Sequence, residues 1–232
     1  MASRKEQKEA LKQERLEREQ AAAAADRRRR LIGYGVGGAL ALAAIVAVVI
    51  AISAGGGGGH KGDGKSGTTV SYGKGSVPKQ RIADLAAAAK AARCTVRTYP
   101  NFGRNHVTGF VKYKTNPPTS GNHYPAPASD GAYPQAPRTE QLVHALEHGR
   151  VIVWFQPKAP QSVVNDLKAL FDEDPVRVIL TPDETGMSFE VAATAWRHLL
   201  GCPRMNPKVF DAIRAFKAAY RDKAPEKILG PE

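Results

Sequence analysis

The sequence predicts an α+β domain, a small sheet with helices packed against it, preceded by one transmembrane helix. Three observations carry this. Residues 31–54 run without a charge, and about 20 apolar residues are enough to span a bilayer. Downstream, short apolar runs of strand length are interspersed with stretches whose apolar residues recur every three or four positions, as on a helix. Their order is helix, strand, loop, helix, strand, helix, strand, strand, helix, which suits helices laid on one small sheet.

Residues 1–30 read as a charged cytoplasmic helical tail. Leu11 and Leu16 are its only leucines, so opposite charges three or four positions apart support it, and it has no apolar stripe to bury. Arg27–Arg30 abuts the apolar run, and such cationic flanks stay in the cytoplasm. Residues 31–54 are then a retained anchor in the plasma membrane. Ala51 to Ser53 offers small residues to a signal peptidase, but the apolar run is longer than a signal core and its leader is long. Residues 55–76, rich in Gly, Ser and Lys, form a flexible linker that contains His60. The extracytoplasmic domain is expected over 77–223, enough chain for one core, with a tail at 224–232.

Within the domain, Arg81–Cys94 is Ala-rich and helical by propensity. His106–Lys114 alternates through Val107, Phe110, Val111 and Tyr113, which predicts a strand. Asn116–Pro137 holds six prolines and no periodicity, the mark of a long ordered loop. A short helix follows, with Thr139 as its N-cap and Gly149 just past its end. Val151–Phe155 is a continuous apolar run, as in a strand buried on both faces. Pro160–Phe171 is an amphipathic helix. Val176–Leu180 and Phe189–Trp196 are strands joined by a turn around Asp183–Gly186, and Asn206 caps a last helix striped by Val209, Phe210, Ile213, Phe216 and Tyr220.

The net charge is +12. Residues 1–30 hold ten Lys and Arg against six acidic residues, or +4, and the anchor holds none, which leaves +8 outside. A basic exported surface suits anionic lipid or an envelope partner and argues against nucleic acid. Cys94 and Cys202 are the two cysteines, both on the exported side. An even count in an oxidising compartment points to a disulfide, with a thiolate pair for metal as the alternative.

The chemistry concentrates in Thr139–Gly149. His144 and His148, four residues apart, share one helix face, turned away from Leu142, Val143 and Leu146. A third histidine, His123, stands in Asn116-Pro-Pro-Thr-Ser-Gly-Asn-His-Tyr124, stiffened by two prolines. His123, His144 and His148 brought together would bind zinc or copper. His144-Ala-Leu-Glu147-His148 also matches the H-x-x-E-H pattern, in which Glu147 would be the base of a zinc hydrolase. That reading needs a third ligand, for which Asp183 and Glu190 are available. Met187 or Met205 could add a soft ligand.

Plainer roles stand beside these. His148 suits the negative end of a helix dipole, His144 has Glu140 one turn before it, and His123 can bond its own loop. His106 and His198 read as structural, Trp154 and Trp196 as core. Tyr124 and Tyr133 could line a pocket beside His123 or pack the loop.

Taken together, Asn116–Tyr124, Gly131-Ala-Tyr133 and Val143–Gly149 before an apolar strand resemble the domain-of-unknown-function 3105 family over residues 70–220. Cys94, Trp196 and Cys202 are similar to its pattern. The resemblance implies a bacterial, often actinobacterial, single-pass or exported protein and treats the three histidine motifs as one domain type; it implies no activity. The expected function is metal binding by a tethered extracytoplasmic domain, more a binding protein than an enzyme. An envelope assembly module with a basic surface is the alternative, and a small metal-dependent hydrolase a third.

Overall fold

A computed structural model describes residues 69–226; the expected tail, the apolar run 31–54, most of the linker and residues 227–232 lie outside the described residues. The described residues all belong to one compact unit. Among the described residues no helix is long and apolar enough to cross a membrane.

Among the described residues, four helices and six strands make an α+β fold around a mixed sheet. They follow in the order α1 (Leu85–Ala92), β1 (Thr95–Thr98), β2 (Gly131–Ala132), α2 (Thr139–Glu147), β3 (Val151–Phe155), α3 (Gln161–Glu173), β4 (Val178–Pro182), β5 (Val191–Ala195), β6 (His198–Cys202) and α4 (Val209–Tyr220). In space the strands run β1-β6-β5-β3-β4-β2. The pairs β1–β6, β6–β5 and β5–β3 are antiparallel, whereas β3–β4 and β4–β2 are parallel. The parallel pair β3–β4 requires a crossover, which α3 supplies.

The central strands β3, β4 and β5 are buried at every position because both faces are covered. Val151, Val153 and Phe155 of β3 pack in one cluster with α1, α3 and α4, through residues such as Ala88, Leu167 and Phe216. Ile152 and Trp154 face the other way, into a cluster with Leu142, Val143 and Leu146 of α2 and with Trp196. The second cluster is the floor on which the histidine-bearing helix rests. Inside it the Trp154 indole donates to Thr194 Oγ1 at 2.8 Å.

Several expectations shift. The strand expected over His106–Lys114 does not form: His106 makes one isolated parallel bridge to His123, and Val111 N–H goes to a side chain, Glu140 Oε1, at 3.0 Å. No neighbouring strand is available to pair that stretch. The helix α2 starts at Thr139 with no side-chain cap, and Asn206 caps the turn before α4 by accepting from Lys208 N–H. Strands β1, β2 and β6 have no counterpart among the expected elements. Residues 70–76, expected as the end of the linker, lie on the domain: Val70 N–H reaches Pro134 O at 2.8 Å and the Tyr72 ring meets Phe155 edge-on. Gly75 permits this close approach, since a Cβ there would fall 2.1 Å from Asn165 O.

Cys94 and Cys202 form a disulfide between the end of α1 and β6. Their sulfurs are therefore not metal ligands.

Candidate metal centre

The helix α2 is buried nearly all round. Its apolar side rests on the sheet, and Glu140, His144 and Glu147 on its other side are buried as well. The cover is the loop expected at Asn116–Pro137 together with the segment before it. That loop is fixed at several points. Arg197 N–H, at the tip of the β5–β6 hairpin, donates to Thr119 O at 2.7 Å, and the Ser120 hydroxyl accepts from Phe102 N–H. Tyr113 Oη donates to Asn122 O. Gly121 has φ +140° and a Cβ on it would meet the Tyr113 ring at 3.0 Å, so the bend before His123 needs glycine.

The loop delivers His123 onto the polar face of α2. Ring centroids of His123 and His144 are 4.5 Å apart and stacked. His106, brought in by its bridge to His123, stands 5.1 Å from His123 and 4.7 Å from His144. Glu147 Oε2 lies 3.0 Å from His123 Nε2. His106, His123, His144 and Glu147 thus form one group whose ligand atoms all lie within 4.8 Å of one another, a set that could hold a metal ion.

Hydrogen bonds define which nitrogens face the centre. His123 Nδ1 is 2.9 Å from Gly121 O, and His144 Nδ1 is 2.7 Å from Tyr124 O. A carbonyl only accepts, so both Nδ1 atoms carry the proton and both Nε2 atoms present lone pairs. Backbone carbonyls behind imidazoles orient histidines in this way at metal sites. The His123 Nε2 lone pair then points toward a carboxylate oxygen, two acceptors face to face. Among the described residues neither His123 Nε2 nor Glu147 Oε1 has a hydrogen-bond partner, though both are buried. A proton or a cation between them removes that conflict.

Burial keeps these groups uncharged. Burial, then neighbouring His106 and His148, lowers the His123 pKa against its bond to Gly121 O. Burial is also the largest influence on His144, pushing it down to about 4. Both imidazoles are neutral near pH 7, the form in which histidine binds metal. Burial and the nearby Glu226 raise the Glu147 pKa, opposed by Arg104 at 3.7 Å. A cation would supply the positive charge these groups lack.

The family model described as Protein of unknown function (DUF3105) matches residues 106–230, from the first of these histidines to beyond Glu226. The chain belongs to that family. No curated protein and no solved structure matches the chain.

This DUF3105 domain also holds a second group, made of His144, His148 and Glu226. His148 closes α2 as its C-cap residue, and its ring lies 4.4 Å from His144. Its Nε2 is 3.3 Å from Glu226 Oε2. The segment after α4 carries Glu226 there: Asp222 N–H donates to Gly149 O at 2.9 Å and Glu226 N–H to Glu147 O at 3.2 Å. Gly149, at φ +83°, admits this segment, since a Cβ would fall 2.9 Å from Asp222 Cα.

The three histidines expected to converge are therefore distributed over both groups. His123 joins His144 in one, His148 joins His144 in the other, and His144 is common to them. His106, expected to be structural, and Glu226, expected in a tail, complete the groups. Glu147 sits beside His123 rather than in an isolated base position. Asp183 and Glu190 do not supply a ligand: Asp183 accepts from the backbone of Thr185 and Met187, and Glu190 binds Met205 N–H and Arg204. Met187 and Met205 pack in the cores on opposite sheet faces. Tyr124 contributes its carbonyl, while Arg138 lies over its ring at 4.8 Å. Tyr133 bonds Ser129 O and Tyr72. His198 stacks on Tyr220, away from both groups.

Proposed function

We propose that this protein is a membrane-tethered, extracytoplasmic binding protein for a divalent transition metal, zinc or copper. The observation that carries the reading is the buried pair His123 Nε2 and Glu147 Oε2, 3.0 Å apart, with His123 Nε2 and Glu147 Oε1 lacking any hydrogen-bond partner among the described residues. Beside it stand two more imidazoles, one oriented by a backbone carbonyl. Imidazole nitrogen suits zinc and copper, and the absence of thiolate ligands, both cysteines being bonded, favours the divalent over the cuprous ion. Four protein ligands make a closed set, characteristic of holding an ion rather than of exposing it to substrate. The charge-free run at 31–54 supports the membrane tether, and the basic balance outside it supports contact with anionic lipid or an envelope partner.

Elemental analysis of the full chain, purified in detergent, tests this. One zinc or copper ion per chain is expected, lost in His123→Ala and in His144→Ala. Metal-free wild-type protein that also fails to take up either ion would refute it.

A second reading rests on the second group. His144, His148 and Glu226 are two histidines and a carboxylate, the ligand set of zinc peptidases, with Glu147 adjacent as base. The two readings separate at Glu147→Gln. Hydrolysis requires that this change spare metal binding and abolish turnover, whereas the binding protein loses affinity.

A further inference from the structure

We propose that the two groups are successive stations for one ion, with His144 as the shared ligand that passes it from an outer to an inner position. This rests on the metal-binding reading above and concerns how the ion reaches the four-ligand set. His144 Nδ1 is committed to Tyr124 O at 2.7 Å, which leaves Nε2 as its one ligand atom. A single imidazole nitrogen binds a single ion. The groups His106/His123/His144/Glu147 and His144/His148/Glu226 therefore cannot both be filled through His144 at the same time.

The two stations differ in ligand count, and each has one exposed member, Glu226 in the outer and His106 in the inner. The outer one ends at Glu226, whose side chain is 44% exposed, and at His148, the C-cap residue of α2. The inner one adds His123 and Glu147, 0% and 1% exposed. Three ligands in the outer station against four in the inner set the direction: the ion comes to rest in the four-ligand set. The rings form a continuous row, with His148 to His144 at 4.4 Å and His144 to His123 at 4.5 Å. In the transfer the bonds to His148 and Glu226 break while bonds to His123 Nε2 and Glu147 form. The His144 bond persists, one carboxylate ligand replaces another, and no electron moves.

Glu226 reaches this place because the segment after α4 is tied to Gly149 O and Glu147 O. It is an exposed side chain, so Glu226→Gln leaves the fold intact, and it serves as the test beside His148→Ala. The experiment mixes chelator-stripped full chain with Zn²⁺ alone in a stopped-flow instrument and follows both stoichiometry and loading rate. Wild type is expected to bind one ion per chain. Glu226→Gln and His148→Ala are expected to keep that stoichiometry and to load about tenfold more slowly, as a barrier raised by one lost ligand implies. His106→Ala, which alters the inner station alone, is expected to hold zinc more weakly and load at the wild-type rate. Two ions bound per wild-type chain, or unchanged loading in both outer variants, overturns the relay while leaving metal binding intact. No uptake by wild type overturns both.

Discussion

At the scale of single residues, the decisive relation is between His123 and Glu147. Each is buried, and the tautomer imposed by Gly121 O turns a lone pair toward a carboxylate. Glu147→Gln removes the anionic ligand but keeps the volume, and is expected to weaken Zn²⁺ binding at least about tenfold, checked by competition with a chelator. The same residues give the metal-free domain a pH dependence. His123 and His144 have folded pKa values below the ordinary imidazole value, His144 at about 4. The unfolded chain therefore binds more protons than the folded one at pH values below about 6.5, and stability present above that pH is lost as pH falls toward 4. Glu147, with its pKa raised, acts in the opposite sense, one carboxylate against two imidazoles. Denaturant midpoints of the stripped protein are expected to be lower near pH 5 than near pH 7.5, and excess Zn²⁺ is expected to raise the midpoint at the higher pH.

At the scale of elements, α2 does two jobs. Leu142, Val143 and Leu146 seat it on Ile152 and Trp154, and that seat positions His144 and Glu147 under the loop. Leu146→Ala is expected to cost about 2–5 kcal/mol in denaturant unfolding and to loosen the centre with it. This helix was legible because its apolar residues keep helical spacing and its histidines fall four apart on the other side. His123 was legible because prolines and a glycine announce a fixed loop. His106 was not: alternation around it imitated a strand, and its real partner is a backbone bridge to His123, a long-range pairing without a periodic signature. Strands β1 and β6 escaped for a related reason. The exposed Thr95–Thr98 and the Leu-Leu-Gly of β6 lack alternation, and a two-residue hairpin at Trp196 and Arg197 joins β5 to β6 without a glycine. Arg197 takes the positive φ of 70° that glycine would usually occupy.

At the scale of the molecule, distant segments meet around a domain whose sheet was partly foreseeable. The helix-to-strand succession announced α+β, but the order β1-β6-β5-β3-β4-β2 depends on pairings no local pattern encodes. Glu226 shows the same limit. Its role comes from packing of the chain after α4 against Gly149, some seventy residues earlier, and nothing in its own neighbours marks it as a ligand. The Cys94–Cys202 bond clamps the end of α1 to β6, next to the edge strand β1, across 108 residues. Replacing both cysteines with serine is expected to lower unfolding stability by about 2–5 kcal/mol while leaving Zn²⁺ stoichiometry at one, since neither sulfur takes part in the centre.

The central claim is that His123, His144 and Glu147, with His106, hold a divalent metal. Calorimetric titration of the chelator-stripped full chain with Zn²⁺, beside His123→Ala, tests it most directly. The expected result is saturation at one ion per chain for wild type and at least about tenfold weaker binding for the variant. Absence of saturable binding by wild type, or equal affinity in the two proteins, would contradict it.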